Sequence, residues 1–203
     1  MKESFQDLLD INKGHFLLES GLHGDVWFDL EKTFLRPETL RPFTDKLADL
    51  LSGYELSAVC GAMVGGAFIA YAVAESLGID FLYTERHVKA SLGAPYEVSY
   101  TLPHAIRGAA VNRRVAIVDD VINAGSAVTK TYGELRAHGA HPVAFACILT
   151  VGGPSPKRLP GEYPPIVSLE HLTSSLWKPG ACPLCQSGMP LVDPYDASQR
   201  IHP

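Results

Sequence analysis

The stretch RRVAIVDDVINAGSAV, residues 113–128, decides the fold. Val115, Ala116, Ile117 and Val118 form the unbroken apolar run expected of a strand buried on both faces. Two adjacent carboxylates, Asp119 and Asp120, end that run. A loop of small residues follows, and Ser126 to His138 reads as a helix closed by Gly139. Like charges side by side repel, and taking them out of water is costly unless a ligand needs them. Small residues at a helix start let backbone N–H groups approach an anion, and the helix dipole favours that anion. Asn123 and Ser126 add side-chain hydrogen bonds. The pattern therefore predicts a phosphate cradle preceded by acceptors for hydroxyl groups or for a metal shell. A helix cap would need one Asp, and here there are two, followed by Asn-Ala-Gly-Ser. Neither a Gly-Lys-Ser/Thr phosphate loop nor a G-x-G-x-x-G fingerprint occurs in the chain.

Outward from this stretch the chain alternates. Ser57 to Gly61 reads as a strand, Gly66 to Leu77 as a helix closed by Gly78, Ile79 to Thr84 as a strand, and Pro142 to Val151 as another. Pro37 to Ser52 is amphipathic, with Leu40, Phe43, Leu47, Leu50 and Leu51 at helical spacing and Pro37 in the first turn. Ser4 to Ile11 reads as a short helix, and Gly14 to Phe34 as strands and turns apart from the main repeat. Arg86 to Arg107 is long and polar, with a hairpin strand near Tyr96 to Leu102. Such alternation predicts an α/β fold, a parallel β-sheet with flanking helices, whose ligands bind beyond the carboxyl ends of the strands.

The chain has 203 residues, 46% of them hydrophobic and 19% charged, which suits one domain with small appendages. A net charge of −5 argues against a broad nucleic-acid face. The opening MKESFQDLLD lacks the apolar core of a signal peptide. Leu56 to Ala74 is uncharged, but Gly61, Gly65 and Gly66 interrupt it, so strand, turn and helix explain it better than a membrane span. The expected setting is cytoplasmic. Cys60 and Cys147 lie in apolar runs and read as core residues.

VAIVDDVINAGSAV closely resembles the phosphoribosyl pyrophosphate (PRPP) motif of type I phosphoribosyltransferases. GHFLLESGLHGDVWFDL is similar to the N-terminal hood of the orotate phosphoribosyltransferase branch, and AVCGAMVGGAFIAYAVA to its pyrophosphate-loop strand and helix. The resemblance spans Gly14 to Val151 and implies three parts: a hood in residues 1–36, a core in 37–151 and a C-terminal extension in 152–203. It implies that Asp119 and Asp120 hold the ribose hydroxyls, directly or through Mg²⁺ and its waters. Asn123, Ala124, Gly125, Ser126 and Ala127 would take the 5′-phosphate, and Ala62, Met63, Val64 and Gly65 would form the pyrophosphate loop. Close helix packing is the other reading of Gly65-Gly66. Arg86 and Lys89 open the segment that matches the family's mobile catalytic loop, which often reaches into a neighbouring subunit and so implies a homodimer. The implied activity is transfer of 5-phosphoribosyl from PRPP to a nucleobase with release of pyrophosphate.

The chain departs from the branch in its cations. Glu19 stands where a Lys usually precedes the hood Ser-Gly, and Gly65 where the pyrophosphate loop usually has a Lys. The loop reads R-H-V-K-A-S-L-G instead of R-K-x-x-K-x-H-G, and Thr150-Val151-Gly152-Gly153 lacks the usual Arg. Glu19 would repel orotate if it pointed into the site. A base other than orotate, or a non-catalytic regulator that senses PRPP or a nucleotide, therefore stands beside the orotate reading. Trp27 and Phe28 are candidates for stacking on the base, although aromatics on an alternating strand are more often core.

WKPGACPLCQSGMPL, residues 177–191, places Cys182 and Cys185 as one knuckle of a structural zinc site. Four ligands are needed and the chain has no second knuckle. His171, His202 or a second copy's CPLC turn are the candidates for completing it, and free thiols in a turn are the other reading.

Overall fold

The computed structural model describes residues 4–89, 97–153, 159 and 161–194. The hood begins with a 3₁₀ turn, Phe5–Leu8, followed by β1 (Asp10–Leu17) and β2 (His23–Asp29). The core then runs α1 (Pro37–Leu51), β3 (Ala58–Ala62), α2 (Gly65–Leu77), β4 (Asp80–Lys89), β5 (Glu97–Thr101), α3 (Arg107–Ala110), β6 (Arg114–Ile122), α4 (Ser126–Ala137) and β7 (His141–Gly152). Beyond it come β8 (Ile166–Thr173), β9 (Leu176–Trp177) and the single turn α5 (Pro183–Gln186).

The main sheet has the order β5-β4-β3-β6-β7-β8, parallel except for the antiparallel β4–β5 pair. Helices cover both faces, as the apolar strands require. On one face Leu47, Leu51, Ile69 and Val73 of α1 and α2 pack on Val59 and Val118. On the other Val128 and Leu135 of α4 pack on Cys60, Ile117, Phe145 and Cys147. Cys60 and Cys147 are buried, and burial pushes the Cys60 thiol far up, so both are core residues as expected. In α1, Leu40, Phe43, Leu47 and Leu51 are buried, but Leu50 is 47% exposed and lies off the packed stripe.

Three local expectations change. The N-terminal helix is only the 3₁₀ turn, because β1 starts at Asp10 and pairs with β2 from Asp10↔Asp29. The strand read as ending at Val118 runs on through Asp119 and Asp120 to Ile122, because β7 keeps pairing with it as far as Ile122↔Thr150. The described residues of the expected C-terminal extension divide between the two sheets. β8 is the sixth strand of the main sheet, whereas β9 pairs with β2 in the three-stranded hood sheet β1-β2-β9.

The chain passes from β3 to β4 on one side and then returns to β6 on the other. A crevice opens at such a switch point, beyond the carboxyl ends of the two central strands. The β3–β6 ladder stops at Gly61↔Val118. From Asp119 onward β6 has lost that neighbour, and the two carboxylates stand at the opening.

Candidate active site

Asp119 is buried and Asp120 half-buried. Each is braced by a backbone amide: Asp120 N–H donates to Asp119 Oδ1 at 3.1 Å, and Val121 N–H to Asp120 Oδ1 at 2.7 Å. Burial raises the pKa of both carboxyls, and for Asp119 the neighbouring Asp120 charge raises it further. A pair of acids held this way favours protonation or a cation.

The turn from β3 into α2 comes directly against them. A Cβ on Gly66 would lie 2.5 Å from Asp119 Oδ1, and a Cβ on Gly65 would collide with Asp120 Oδ2. Both glycines are thus required by close approach, but what fills the missing side-chain space is the carboxylate pair. Ala62, Met63, Val64 and Gly65 form this turn, with the Met63–Val64 peptide cis and Met63 N–H donating to Thr84 O at 2.9 Å. Met63 and Val64 are 37% and 59% exposed.

On the other side of the carboxylates, residues 123–127 lead into α4, which no side chain caps. The first-turn N–H groups of a helix have no intrahelical partner and are available to an anion. Gly125 has φ +81°, and a Cβ there would strike Leu159, which closes over the loop. Asn123 Oδ1 is buried with no hydrogen-bond partner among the described residues. Such an orphan is expected where a ligand or water belongs.

Asp119, Asp120 and residues 123–127 line one cavity of about 210 Å³, with Leu18, Glu19, Ser20 and Tyr100 opposite. Trp27 and Phe28 also line it, but strand alternation puts their side chains on opposite faces of β2. Phe28 belongs to the main core and is 8% exposed, and Trp27 is half-buried. A larger cavity of about 600 Å³ lies between α1 and α2, away from the carboxylates, lined by residues such as Phe34, Leu40, Phe68 and Tyr71.

Glu19 does point into the site, and it is not alone there. Its carboxylate accepts from Arg86 Nε at 2.9 Å, Ser126 Oγ at 3.0 Å and Tyr100 OH at 3.2 Å, with Lys130 Nζ at 4.0 Å. Only 10% of the Glu19 side chain is exposed. Burial, followed by the Glu19 and Asp119 charges, pushes the Tyr100 phenol well up, so it is a neutral donor. Glu19 therefore occupies donors at the start of α4 and neutralises part of two cations. Tyr100 and Lys130 were not singled out in the sequence. Lys130 stands four residues after Ser126, on the same helix face, which is a signal that was available. Arg86 sits in β4 opposite Tyr100, whereas Lys89 is exposed at the strand end, off the cavity wall. The remainder of the expected mobile loop, residues 90–96, lies outside the described residues.

A parallel sheet with a carboxylate pair and a small-residue loop at its switch point, roofed by a small hood, defines the class of type I phosphoribosyltransferases. No family model matches the chain. An orotate phosphoribosyltransferase of Caldanaerobacter subterraneus subsp. tengcongensis is 32% identical over 196 residues, 95% of this chain and 94% of its own length. One from Thermotoga maritima is 29% identical over 198 residues, 96% of each. Among solved structures, orotate phosphoribosyltransferase from Aeropyrum pernix superposes with TM-score 0.57 at 22% identity, over 80% of this chain and 88% of that one. Adenine phosphoribosyltransferase from Thermoanaerobacter pseudethanolicus gives 0.56 at 16%, over 72% and 88%. At these identities the structural likeness speaks for the fold alone. The chain belongs to the orotate phosphoribosyltransferase family. It is a pentosyltransferase that moves 5-phosphoribosyl from PRPP to a nucleobase and releases pyrophosphate.

Proposed function

We propose that orotate is the acceptor and that the chemistry occurs in the cavity below the hood. The observation that carries the reading is the junction of Asp119 and Asp120 with the Gly65-Gly66 turn, beside an uncapped helix start. Asp119 and Asp120 hold the ribose hydroxyls, residues 123–127 the 5′-phosphate, and Ala62 to Gly65 the pyrophosphate. The raised pKa values of the two carboxyls are what a divalent cation would relieve, so the donor set fits Mg²⁺. Bound there, Mg²⁺ would supply charge neutralisation for the departing pyrophosphate. The carboxylates stabilise positive charge developing on the ribose, and Arg86 contributes its cation to the leaving group. Lys89 joins it from the exposed end of β4, where residues 90–96 begin.

Orotate is supported by the relatives' activity and by the pairing of Glu19 with Arg86 and Lys130. With one carboxylate between two cations, Glu19 does not present an unopposed charge to an anionic base. The same reading treats residues 1–36 as the hood over core 37–151, with residues 152–203 contributing to both. It takes the protein to be a cytoplasmic homodimer. Among the described residues no helix is long and apolar enough to cross a membrane.

The test is pyrophosphate release with PRPP and Mg²⁺ over a panel of bases. Turnover with orotate is expected. Faster turnover of another base would reassign the acceptor, and PRPP binding with no turnover on any base would replace the enzyme with a sensor.

A further inference from the structure

The CPLC turn has its missing ligands inside its own chain. His15 Nε2, His23 Nδ1, Cys182 Sγ and Cys185 Sγ all lie within 4.8 Å of one another. His15, His23 and Cys182 are buried, and Cys185 closes the cluster at the surface. His171, by contrast, is bound to Thr150 Oγ1 at 3.0 Å and to Gly153 O at 2.8 Å, and His202 lies outside the described residues.

We propose that these four side chains form a closed structural zinc site that fastens the hood hairpin to the C-terminal knuckle. Zinc about 2.3 Å from sulfur and about 2.0 Å from nitrogen holds tetrahedral ligand atoms roughly 3.3–3.8 Å apart. Four of the six separations are 2.9 Å between the His nitrogens, 3.4 and 3.6 Å from His15 Nε2 to the two sulfurs, and 3.3 Å from His23 Nδ1 to Cys185 Sγ, and the other two are within 4.8 Å. The cluster needs only small adjustment to close on an ion.

Hydrogen bonding favours the same conclusion. His15 Nδ1 lies 2.9 Å from Met189 O, which only accepts, so the ring proton is on Nδ1 and Nε2 offers its lone pair inward. Three atoms converge on that single lone pair: His23 Nδ1 and both sulfurs. One lone pair cannot satisfy three donors, but one cation can satisfy four lone pairs. Binding releases the two thiol protons to solvent and leaves two thiolates, two neutral imidazoles and Zn²⁺, a site of zero net charge suited to burial.

The site's position gives it a role. His15 and His23 flank the β1–β2 turn, which is closed by Leu18 N–H to Leu22 O at 2.9 Å and carries Glu19 into the active-site cavity. The knuckle is tied to the same hairpin by β9 on β2 and by Val192 N–H to His15 O at 2.8 Å. The metal would thus fix the hairpin through side chains that are not among those lining the Asp119 cavity.

The experiment is metal analysis of tag-free protein purified without added zinc or chelator, then washed in excess Mg²⁺. One zinc per chain is expected, equally in Asp119→Asn, which removes an acid from the Mg²⁺ region. His23→Ala and Cys185→Ser should each lose it, and His171→Asn should keep it. Metal-free protein given Co²⁺ should develop the visible bands of a tetrahedral thiolate site. Wild-type protein that holds less than half a zinc per chain and gives no such bands overturns the proposal, whatever the variants do. So does a Cys182–Cys185 disulfide in the protein as isolated. None of these readouts uses phosphoribosyl transfer, so the zinc site and the enzyme reading can fail separately.

Discussion

Asp119 shows at a single residue how function is set against stability. Its raised pKa means that, between the ordinary carboxyl value of 3.8 and its folded value, the folded chain binds more protons than the unfolded one. Stability of the ligand-free protein therefore falls as pH rises through that window. Asp119→Asn removes the ionisation and keeps the shape. Its ligand-free melting temperature at neutral pH should exceed the wild type's, by roughly 2–4 °C for each kcal/mol relieved, and the excess should vanish in acid. PRPP affinity should meanwhile be lost. A variant that melts lower than wild type at every pH would contradict the burial argument. Glu19 is the counterpart: it fills donors that the proposed anionic ligand would need. Glu19→Gln should free Arg86, Lys130 and Ser126 and tighten phosphate or PRPP binding by about 3- to 10-fold, on the order of 1 kcal/mol for partly exposed pairs. High salt should erase the gain. Unchanged or weaker binding by titration calorimetry would show that Glu19 does not compete.

At the scale of elements, legibility followed burial. β3, β6 and β7 are buried on both faces and read as apolar runs in the sequence. β8 did not, because its residues are almost all half-buried and it carries Glu170 and His171 within the strand. Glu170 has a local reason to be there. Burial would raise its pKa, but hydrogen bonds from Phe5 N–H at 2.6 Å, Ser4 Oγ at 2.8 Å and Gln6 Nε2 at 3.2 Å outweigh it and hold the carboxyl below its usual range. This one side chain pins the N-terminal turn to the sheet edge. Because the folded value is depressed, its contribution is present above the ordinary value of 4.5 and is lost as pH falls through the lower folded value. Glu170→Ala should cost about 1.5–3 kcal/mol, the scale of hydrogen bonds to a charged group. Denaturant melts at neutral pH should show the loss, and it should shrink towards nothing in strong acid. An equal loss at both pH values would mean that packing, not the carboxylate, is responsible.

Over the whole molecule, local and distant information separate. The carboxylate pair, the small-residue loop and the glycine turn are contiguous motifs and could be read directly. The Glu19–Arg86–Tyr100 constellation and the four-ligand cluster join residues far apart in the chain, which no local pattern encodes. One exposed apolar surface bears on the homodimer reading. Phe68 and Tyr71 on α2 are 51% and 59% exposed, next to exposed Val64 and the 600 Å³ apolar groove against α1. α2 begins at the proposed pyrophosphate loop, so a partner seated on this face would also brace Gly65 against Asp120. The homodimer reading therefore makes a specific demand. Phe68→Glu with Tyr71→Asp should convert a dimer to monomer, since buried aromatic anchors are worth about 2 kcal/mol each and two of them weaken association about a thousand-fold. Light scattering across a concentration series reads the mass, and PRPP affinity of the resulting monomer should fall if the partner braces the loop. A wild-type chain that is monomeric at every concentration would remove the dimer, and a dimer indifferent to both substitutions would move it to another face.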